Sequence, residues 1–205
     1  MRIERIIEGP LEANCFVIYQ KSGGSAYIID PGYDTKRTRD FIKANRLIVK
    51  AILLTHTHHD HSGKADALAE YFGVEICAHR EELDYYDGKP ETLFGNNPER
   101  LFNGGEKLDL DGESIEVQHT PGHTAGSLCF YSAKSRVAFT GDTIFDVDLG
   151  YTHFAGSSAK RMKESLKTIV NHWENDVTIY PGHGDPATMK YVRGANHEFL
   201  ENIAD

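Results

Sequence analysis

The chain has 205 residues, of which 40% are hydrophobic and 26% are charged, a composition typical of a soluble globular protein. Its net charge of −9 and pI of about 5.6 disfavour nucleic acids as partners. No apolar stretch approaches the ~20 residues that a membrane helix needs, and the N-terminus lacks the apolar segment of a signal peptide. We therefore expect one domain over residues 1–205, located in the cytoplasm, without a nucleic-acid or membrane partner.

The three cysteines, Cys15, Cys77 and Cys129, lie far apart and each within an apolar run. An odd number at such spacing favours buried thiols in a reducing compartment over a disulfide framework.

In chain order, the first 30 residues favour β-structure. Residues 14–19 and 26–29 are rich in β-branched and aromatic side chains, and residues 21–24 separate them as a turn, which predicts a hairpin. Asp30-Pro31-Gly32 ends the second strand, because proline stops pairing and glycine allows a turn. The next predicted elements are a helix at 34–46, a buried strand at 51–54, a helix through Ala65, Leu68, Ala69 and Phe72, a strand at 74–78, a helix at 79–87 and a loop at 88–105.

The second half begins with alternating apolar and polar residues over 113–145, which predicts strands interrupted by turns at 120–124 and 140–143. Residues 158–173 carry one apolar stripe and predict an amphipathic helix. A strand at 177–180, a turn at 181–185 and a helical stretch from Thr188, weakened at Gly194, complete the chain. Strands followed by helices in each half predict two packed sheets with helices outside, an α/β architecture.

The turn at residues 55–63 reads Thr-His-Thr-His-His-Asp-His-Ser-Gly and lies between a predicted strand and a predicted helix. Its potential ligands are His56, His58, Asp60 and His61. Imidazole and carboxylate suit Zn²⁺ and, less selectively, iron or manganese. Because the turn is irregular, two of these side chains can point one way and two another, so that one turn could serve two metals.

Three later turns each add one potential ligand, namely His123, Asp142 and His183. A single histidine or aspartate on such a turn is usually structural. Together with the first cluster, however, they form a consistent set of seven candidate ligands.

The chain resembles the metallo-β-lactamase superfamily and, within it, the short hydrolases similar to glyoxalase II. The matching segments, in the family's order, are T-H-T-H-H-D-H-S-G at 55–63, T-P-G-H-T at 120–124, G-D-T-I-F at 141–145 and P-G-H-G at 181–184. The Asp30-Pro31-Gly32 turn also fits this pattern.

The resemblance implies an αββα sandwich with two divalent metal ions at one edge of the sheets. Zinc is expected first, with iron or manganese as alternatives. A bridging hydroxide would then attack a thioester such as S-D-lactoylglutathione. The implied ligands are His56, His58 and His123 for one metal, Asp60, His61 and His183 for the other, and Asp142 as the bridge, with Asp60 and Asp142 as the catalytic residues.

Two positions depart from the glyoxalase II pattern. Tyr151 stands where the subgroup usually has Arg, and His153 where it usually has Asp. We also expect no helical C-terminal domain of the kind that carries glutathione contacts in the longer enzymes. Tyr151 and His153 are therefore candidate substrate-binding residues, and a small thioester other than the glutathione one is an open alternative.

Several other functional hypotheses remain open. A persulfide dioxygenase of the same fold uses one iron held by two His and one Asp, and hydrolysis of another ester or lactone uses the same site. A β-lactamase, a nucleic-acid phosphodiesterase and a non-enzymatic binding module are less compatible with the charge and the complete ligand set. Among the remaining polar residues, we expect His59 to face solvent or to lie behind the ligands, His119 to support the turn at 120 and Asp185 to orient a ligand histidine.

Overall fold

The computed structural model describes residues 1–83 and 98–204, which form two six-stranded sheets packed face to face. The first sheet contains, in spatial order, β1 (Arg2–Glu8), β2 (Ala13–Tyr19), β3 (Ser25–Ile29), β4 (Ile48–Leu53), β5 (Ile76–His79) and β6 (Arg100–Phe102). The second contains β12 (Ala187–Thr188), β11 (Thr178–Pro181), β10 (Val137–Gly141), β9 (Leu128–Ser132), β8 (Glu113–His119) and β7 (Lys107–Leu110).

Helices cover the outer face of each sheet. They are α1 (Thr35–Ala44) and α3 (Ala65–Phe72) in the first half, and α4 (Ala159–Thr168), α5 (Met189–Ala195) and α6 (His197–Ile203) in the second. The short helix α2 (His59–Ser62) lies between β4 and α3 in the chain and carries candidate ligands. Short 3₁₀ turns occur at Arg80–Glu82 and Val170–His172. The predicted αββα sandwich is therefore confirmed.

Strand β2 shows why the layers form in this order, because every one of its residues is buried. Alternate side chains of a strand point to opposite faces. Cys15 and Val17 pack with the core beneath α1 and α3, whereas Phe16 and Ile18 pack between the two sheets. A strand that is apolar on both faces must lie between two layers, and β2 does.

The parallel strand pairs determine where the ligand-bearing turns lie. Strand β4 pairs in parallel with β3 and β5, and β10 pairs in parallel with β11. A backbone hydrogen bond from Leu128 N, at the start of β9, to Thr55 O (2.8 Å) ties the loop after β4 to the second sheet. Another, from Gly182 N to Gly141 O (2.9 Å), joins the turn after β11 to the end of β10. The ligand-bearing turns therefore meet at one edge of the sandwich.

Several predicted boundaries are corrected. Strands β1, β6, β7 and β12 were not predicted as separate elements, since they are short or lie at sheet edges. The helix predicted at 158–173 ends at Thr168 and continues as the 3₁₀ turn. Of the helix predicted at 79–87, His79 is the last residue of β5 and Arg80–Glu82 form a 3₁₀ turn. The loop predicted at 88–105 contains β6, and the parts of both predictions that fall on 84–97 lie outside the described residues.

The C-terminal helical stretch breaks at Asn196 rather than at Gly194. The Asn196 side chain accepts a hydrogen bond from Phe199 N (2.8 Å) and so caps α6. The capping asparagine accepts from a free N–H of the first helical turn, whereas Gly194 lies inside α5 and does not interrupt it.

Among the described residues, no helix combines the length and apolar character needed to cross a bilayer.

Candidate metal centre

The first group of candidate ligands comprises His56, His58 and His123, whose nearest ring nitrogens lie within 4.8 Å of one another. His58 Nδ1 is 2.9 Å from His123 Nε2. His56 Nε2 is buried and has no hydrogen-bond partner in the described structure. A buried, unpartnered imidazole nitrogen costs free energy unless another group, such as a cation, takes its lone pair.

The second group comprises Asp60, His61 and His183 and is equally close. His183 Nε2 lies 3.2 Å from Asp60 Oδ2 and 3.2 Å from His61 Nε2. These side chains come from α2 and from the turn after β11, elements far apart in the sequence.

Asp142 lies between the two groups. Its Oδ1 is 3.5 Å from His61 Nε2, and its Oδ2 is 3.5 Å from His123 Nε2 and 3.7 Å from His183 Nε2. Oδ1 is also buried without a hydrogen-bond partner. One carboxylate thus reaches both histidine groups, which is the geometry a bridging ligand needs.

These atoms fit a pair of divalent cations. The donors are imidazole nitrogens and carboxylate oxygens, the set preferred by zinc and accepted by iron and manganese. Three of the buried atoms without hydrogen-bond partners in the described structure belong to these residues: His56 Nε2 and Asp142 Oδ1 face the interior of the set, and His61 Nδ1 faces Asp30. All seven predicted ligands are therefore brought together as candidates for one binuclear site.

Oxygen atoms near the remote ring nitrogens orient several of the histidines. Such contacts fix the imidazole tautomer and turn the opposite nitrogen toward a metal. The pairs are His56 Nδ1 with Thr55 Oγ1 (3.1 Å), His123 Nδ1 with Tyr151 O (2.8 Å), His183 Nδ1 with Leu11 O (3.0 Å) and His61 Nδ1 with Asp30 Oδ2 (3.3 Å).

The electrostatic environment differs between the two groups. Burial, followed by the neighbouring His61, holds the pKa of His56 well below its ordinary value, and burial with His123 lowers the pKa of His58 to about 4. Both stay neutral near pH 7, which is the form that binds a metal. Burial opposes protonation of His61, but Asp142 and Asp30 outweigh it and raise its pKa to about 9. A cation entering the second group therefore displaces a proton.

Asp30 is a positioning residue that the sequence indicated only as a turn. It is buried, and its φ of 52° lies in the left-handed region that non-glycine residues rarely adopt. Its carboxylate accepts hydrogen bonds from Thr55 N (2.7 Å) and Thr55 Oγ1 (2.5 Å) and faces His61. This single side chain therefore contacts both ends of the ligand-rich turn.

Glu82 is a second positioning residue, and the sequence carried no signal for it. Its buried carboxylate accepts hydrogen bonds from Thr57 N (2.8 Å) and Thr57 Oγ1 (2.6 Å) on one side. On the other side it accepts from Thr124 Oγ1 (2.6 Å) and Gly126 N (2.8 Å). Thr57 lies between His56 and His58, and Thr124 follows His123, so Glu82 ties the segments that carry the first histidine group.

Two glycines allow the backbone to pass close to the aspartates. A Cβ on Gly32 would overlap the carbonyl oxygen of Asp60, and a Cβ on Gly150 would overlap that of Asp142. Any larger residue at either position would displace a candidate ligand.

An open cavity of about 910 Å³ lies over the centre, with His58, Asp60, His123, Asp142 and His183 in its wall. The remainder of the wall comes mainly from residues 145–151 and from Leu11 and Phe154. The candidate ligands are therefore accessible to a small molecule.

The two predicted substrate-binding residues occupy different places. Tyr151 lines the cavity with its side chain 69% exposed, and its carbonyl orients His123. His153 lies in a neighbouring depression with Glu198 and is not part of the cavity wall.

The other polar residues are also located. His59 is exposed, as predicted. His119 supports the turn at 120, also as predicted, through a 3.0 Å contact between its Nε2 and Ala125 O. The prediction for Asp185 is wrong, because its exposed carboxylate pairs with Arg5 Nη1 (2.7 Å) while Leu11 O orients His183.

Comparisons with curated proteins find related sequences over most of the chain. Hydroxyacylglutathione hydrolase GloC of Haemophilus influenzae is 36% identical over 206 residues, covering 96% of this chain and 97% of that protein. PksB of Bacillus subtilis, described as a probable polyketide biosynthesis zinc-dependent hydrolase, is 30% identical over 169 residues, covering 82% of this chain and 72% of that protein.

Solved structures give a similar picture. BLEG-1, a B3 metallo-beta-lactamase, matches with a TM-score of 0.87 at 27% identity, covering 96% of this chain and 98% of that chain. TTHA1623 in a di-iron-bound form matches with a TM-score of 0.80 at 27% identity, covering 95% and 98% of the respective chains. The family description "Metallo-beta-lactamase superfamily" matches residues 9–183, and the chain belongs to that superfamily.

Proposed function

We propose that the protein is a binuclear metal-dependent hydrolase that cleaves a small thioester, similar to glyoxalase II. The observation that carries this proposal is the Asp142 carboxylate, which lies within 3.7 Å of histidines from both ligand groups at the wall of an open cavity. The 36% identity to a hydroxyacylglutathione hydrolase supports the thioester as substrate class.

Two divalent ions held by these residues would lower the pKa of a bound water and polarise a substrate carbonyl. The chain's own residues prepare the site for that chemistry. His56, His58 and His123 would hold one ion, and Asp60, His61 and His183 the other. Burial opposes ionisation of Asp60, but His183 and His61 keep its pKa below the usual range, so that it stays a carboxylate at neutral pH. It can then accept a hydrogen bond from water in the cavity.

Positioning residues keep this arrangement rigid before any substrate arrives. Asp30 and Glu82 hold the two ends and the middle of the ligand-rich turn. Preorganised groups lose little free energy to reorganisation when charge develops on the reacting carbonyl.

The decisive test measures metal content and substrate turnover on the same preparation. After growth with ample zinc, iron and manganese, we expect about two metal ions per chain, because both ligand groups and the bridge are complete. A panel of thioesters, followed by release of free thiol, should show turnover that is lost on chelation and restored by metal. One metal ion or fewer per chain would contradict the binuclear proposal.

Two alternatives are separated in the same experiment. A persulfide dioxygenase with one iron would consume oxygen with a persulfide substrate and show no need for the second ligand group. Because the chain is similar to a B3 metallo-beta-lactamase, the substrate panel must also include a β-lactam. It includes a lactone as well. Turnover of either in preference to every thioester would assign the site to another carbonyl substrate.

A further inference from the structure

The residues that line the cavity indicate the class of substrate, which the candidate metal ligands alone do not. Five apolar side chains surround the candidate metal centre, and we call them the apolar collar: Leu11, Phe145, Val147, Leu149 and Phe154. Leu11, Val147 and Phe154 are 60%, 47% and 45% exposed, which is unusual for large apolar side chains. Exposed apolar surface that rims a pocket is typical of a binding site for an apolar group.

The loop that supplies most of the collar is held in place by the C-terminal helices. Asn196 is fully buried and donates hydrogen bonds to the carbonyl oxygens of Phe145 (3.1 Å) and Asp148 (2.8 Å). Leu149 N donates to Glu198 Oε2 (3.1 Å), and Phe145 N donates to Asp148 O (3.0 Å). The part of the collar that comes from residues 145–149 is therefore held in place, because this loop is anchored from behind.

Apart from the candidate ligands, the charged side chains described in this wall are all acidic. Asp146 and Asp148 line the cavity beside the collar, and among the described lining residues there is no lysine or arginine. Two divalent ions would offset Asp60 and Asp142 at the centre, but Asp146 and Asp148 come from the wall loop. A substrate group that extends away from the reacting carbonyl would meet these two carboxylates. Carboxylate or phosphate groups on that part of the substrate would be repelled.

We propose that this cavity selects uncharged acyl thioesters whose apolar group packs on the collar, and that it discriminates against thiols carrying carboxylates or phosphates. This inference rests on the thioester hydrolysis proposed above and names the substrate class of that site. It also assigns a role to Asp146 and Asp148, which repel anionic substrates without contacting the reacting atoms.

The test for charge uses the metal-loaded protein and one butanoyl group on three thiols: N-acetylcysteamine, glutathione and coenzyme A. We expect the highest kcat/KM for the uncharged N-acetylcysteamine thioester. Because the three thiols differ in intrinsic reactivity, the decisive quantity is the ratio of kcat/KM for the glutathione thioester to that for the uncharged one. In the double variant Asp146→Asn with Asp148→Asn this ratio should rise about three- to tenfold, since two repulsive contacts are removed.

A matched control removes the same charge elsewhere. Glu164→Gln with Glu174→Gln neutralises two exposed carboxylates that do not line the cavity. The ratio in this control should stay at the wild-type value. Raising the ionic strength should bring the ratios of wild type and of the Asp146/Asp148 variant closer together, because salt screens the repulsion.

The test for the collar varies the acyl chain on N-acetylcysteamine from acetyl to hexanoyl. Each added methylene should raise kcat/KM about two- to fourfold until the collar is covered, mainly through KM. Val147→Ser should flatten this dependence while the acetyl substrate changes least.

The outcomes separate the two proposals. If no thioester is cleaved by protein that holds its metals, the proposed function fails and this inference fails with it. If thioesters are cleaved but the glutathione ratio is unmoved by Asp146→Asn with Asp148→Asn, and chain length has no effect, only the substrate inference is overturned.

Discussion

The candidate metal centre and a second histidine cluster, formed by His79, Glu81 and His119, both bring potential ligand atoms within 4.8 Å. In the second cluster the two imidazole rings stack at 3.7 Å with an interplanar angle of 18°. His79 Nδ1 accepts a hydrogen bond from Glu81 N (3.1 Å), and the Glu81 carboxylate pairs with Arg161 Nη1 (2.8 Å). His79 Nδ1, His119 Nε2 and the Glu81 carboxylate are thus engaged by other protein groups.

The two clusters differ in which of their ligand atoms have hydrogen-bond partners. At the metal centre, the inward-facing His56 Nε2 and Asp142 Oδ1 are buried without hydrogen-bond partners, whereas the remote nitrogens of His56, His123 and His183 lie within 3.1 Å of oxygen atoms. Proximity of histidines and carboxylates alone therefore does not indicate a metal site. A site is indicated when the protein orients each ligand from behind and leaves its inner atoms unsatisfied.

The largest expected effect comes from the residue that joins the two ligand groups. Asp142→Ala should reduce kcat by more than about a thousandfold and lower metal occupancy at both positions, because its carboxylate reaches both histidine groups. Asp60→Ala is the matched control and should mainly empty one position. Elemental analysis and thioester turnover measure both effects. An Asp142→Ala protein that keeps two ions and most of its activity would show that this residue is not a bridge.

The second-largest expected effect comes from Glu82, which positions the segments that carry the first histidine group. Glu82→Gln should weaken metal binding at the first histidine group about 10- to 100-fold, since the amide offers one acceptor oxygen to four donors. Stepwise Co²⁺ titration followed by visible absorption reports this affinity separately from activity. Glu81→Gln, which neutralises a neighbouring carboxylate that contacts none of the candidate ligands, is the matched control and should titrate like wild type at the first histidine group.

The third effect, at the cavity rim, concerns Tyr151. Tyr151→Arg would add a guanidinium to a wall whose described residues include no lysine or arginine, and a guanidinium can bind a carboxylate through two hydrogen bonds. We expect kcat/KM for S-D-lactoylglutathione to rise about tenfold, with less change for an uncharged thioester. Adding His153→Asp should contribute little more, because His153 lies outside the cavity wall. A wild-type preference for the glutathione substrate would contradict this assignment.

The smallest effect belongs to the second cluster and depends on pH. Burial, followed by His119, lowers the pKa of His79 from 6.5 to about 4. As the pH falls through this range, His79 becomes protonated in the unfolded chain but stays neutral in the folded chain. The free energy of unfolding therefore decreases. His79→Phe keeps a ring on His119 and removes the titration. In metal-free protein, urea unfolding should show the variant losing less stability than wild type between pH 6.5 and pH 4; equal losses would contradict the sign.

Much of the candidate site could be predicted from the sequence, because its ligands are concentrated on turns with distinctive composition. Four of the seven candidates lie within six positions at 56–61, and the other three follow strands whose apolar pattern is plain. The layer order could also be predicted, since strands that are apolar on both faces must be covered on both sides.

The partners that orient the ligands could not be predicted, because they are joined only by folding. Glu82 lies 25 residues from Thr57 and more than 40 from Thr124, and no local pattern links the three segments. Asp185 shows the opposite error. It is two residues from His183 in sequence, yet its carboxylate reaches Arg5 on another strand, while a carbonyl from Leu11 orients the histidine.

The sequence by itself therefore determined the fold class and the candidate ligands, because hydrophobic periodicity and ligand-rich turns are local properties of the chain. Only the tertiary structure decided which nitrogen of each histidine faces inward, which carboxylates act from behind, and that Asp146 and Asp148 lie beside the apolar collar. These features depend on distances between segments that are remote in sequence. Such distances are set by the packing of two sheets and their helices, and no short motif encodes them.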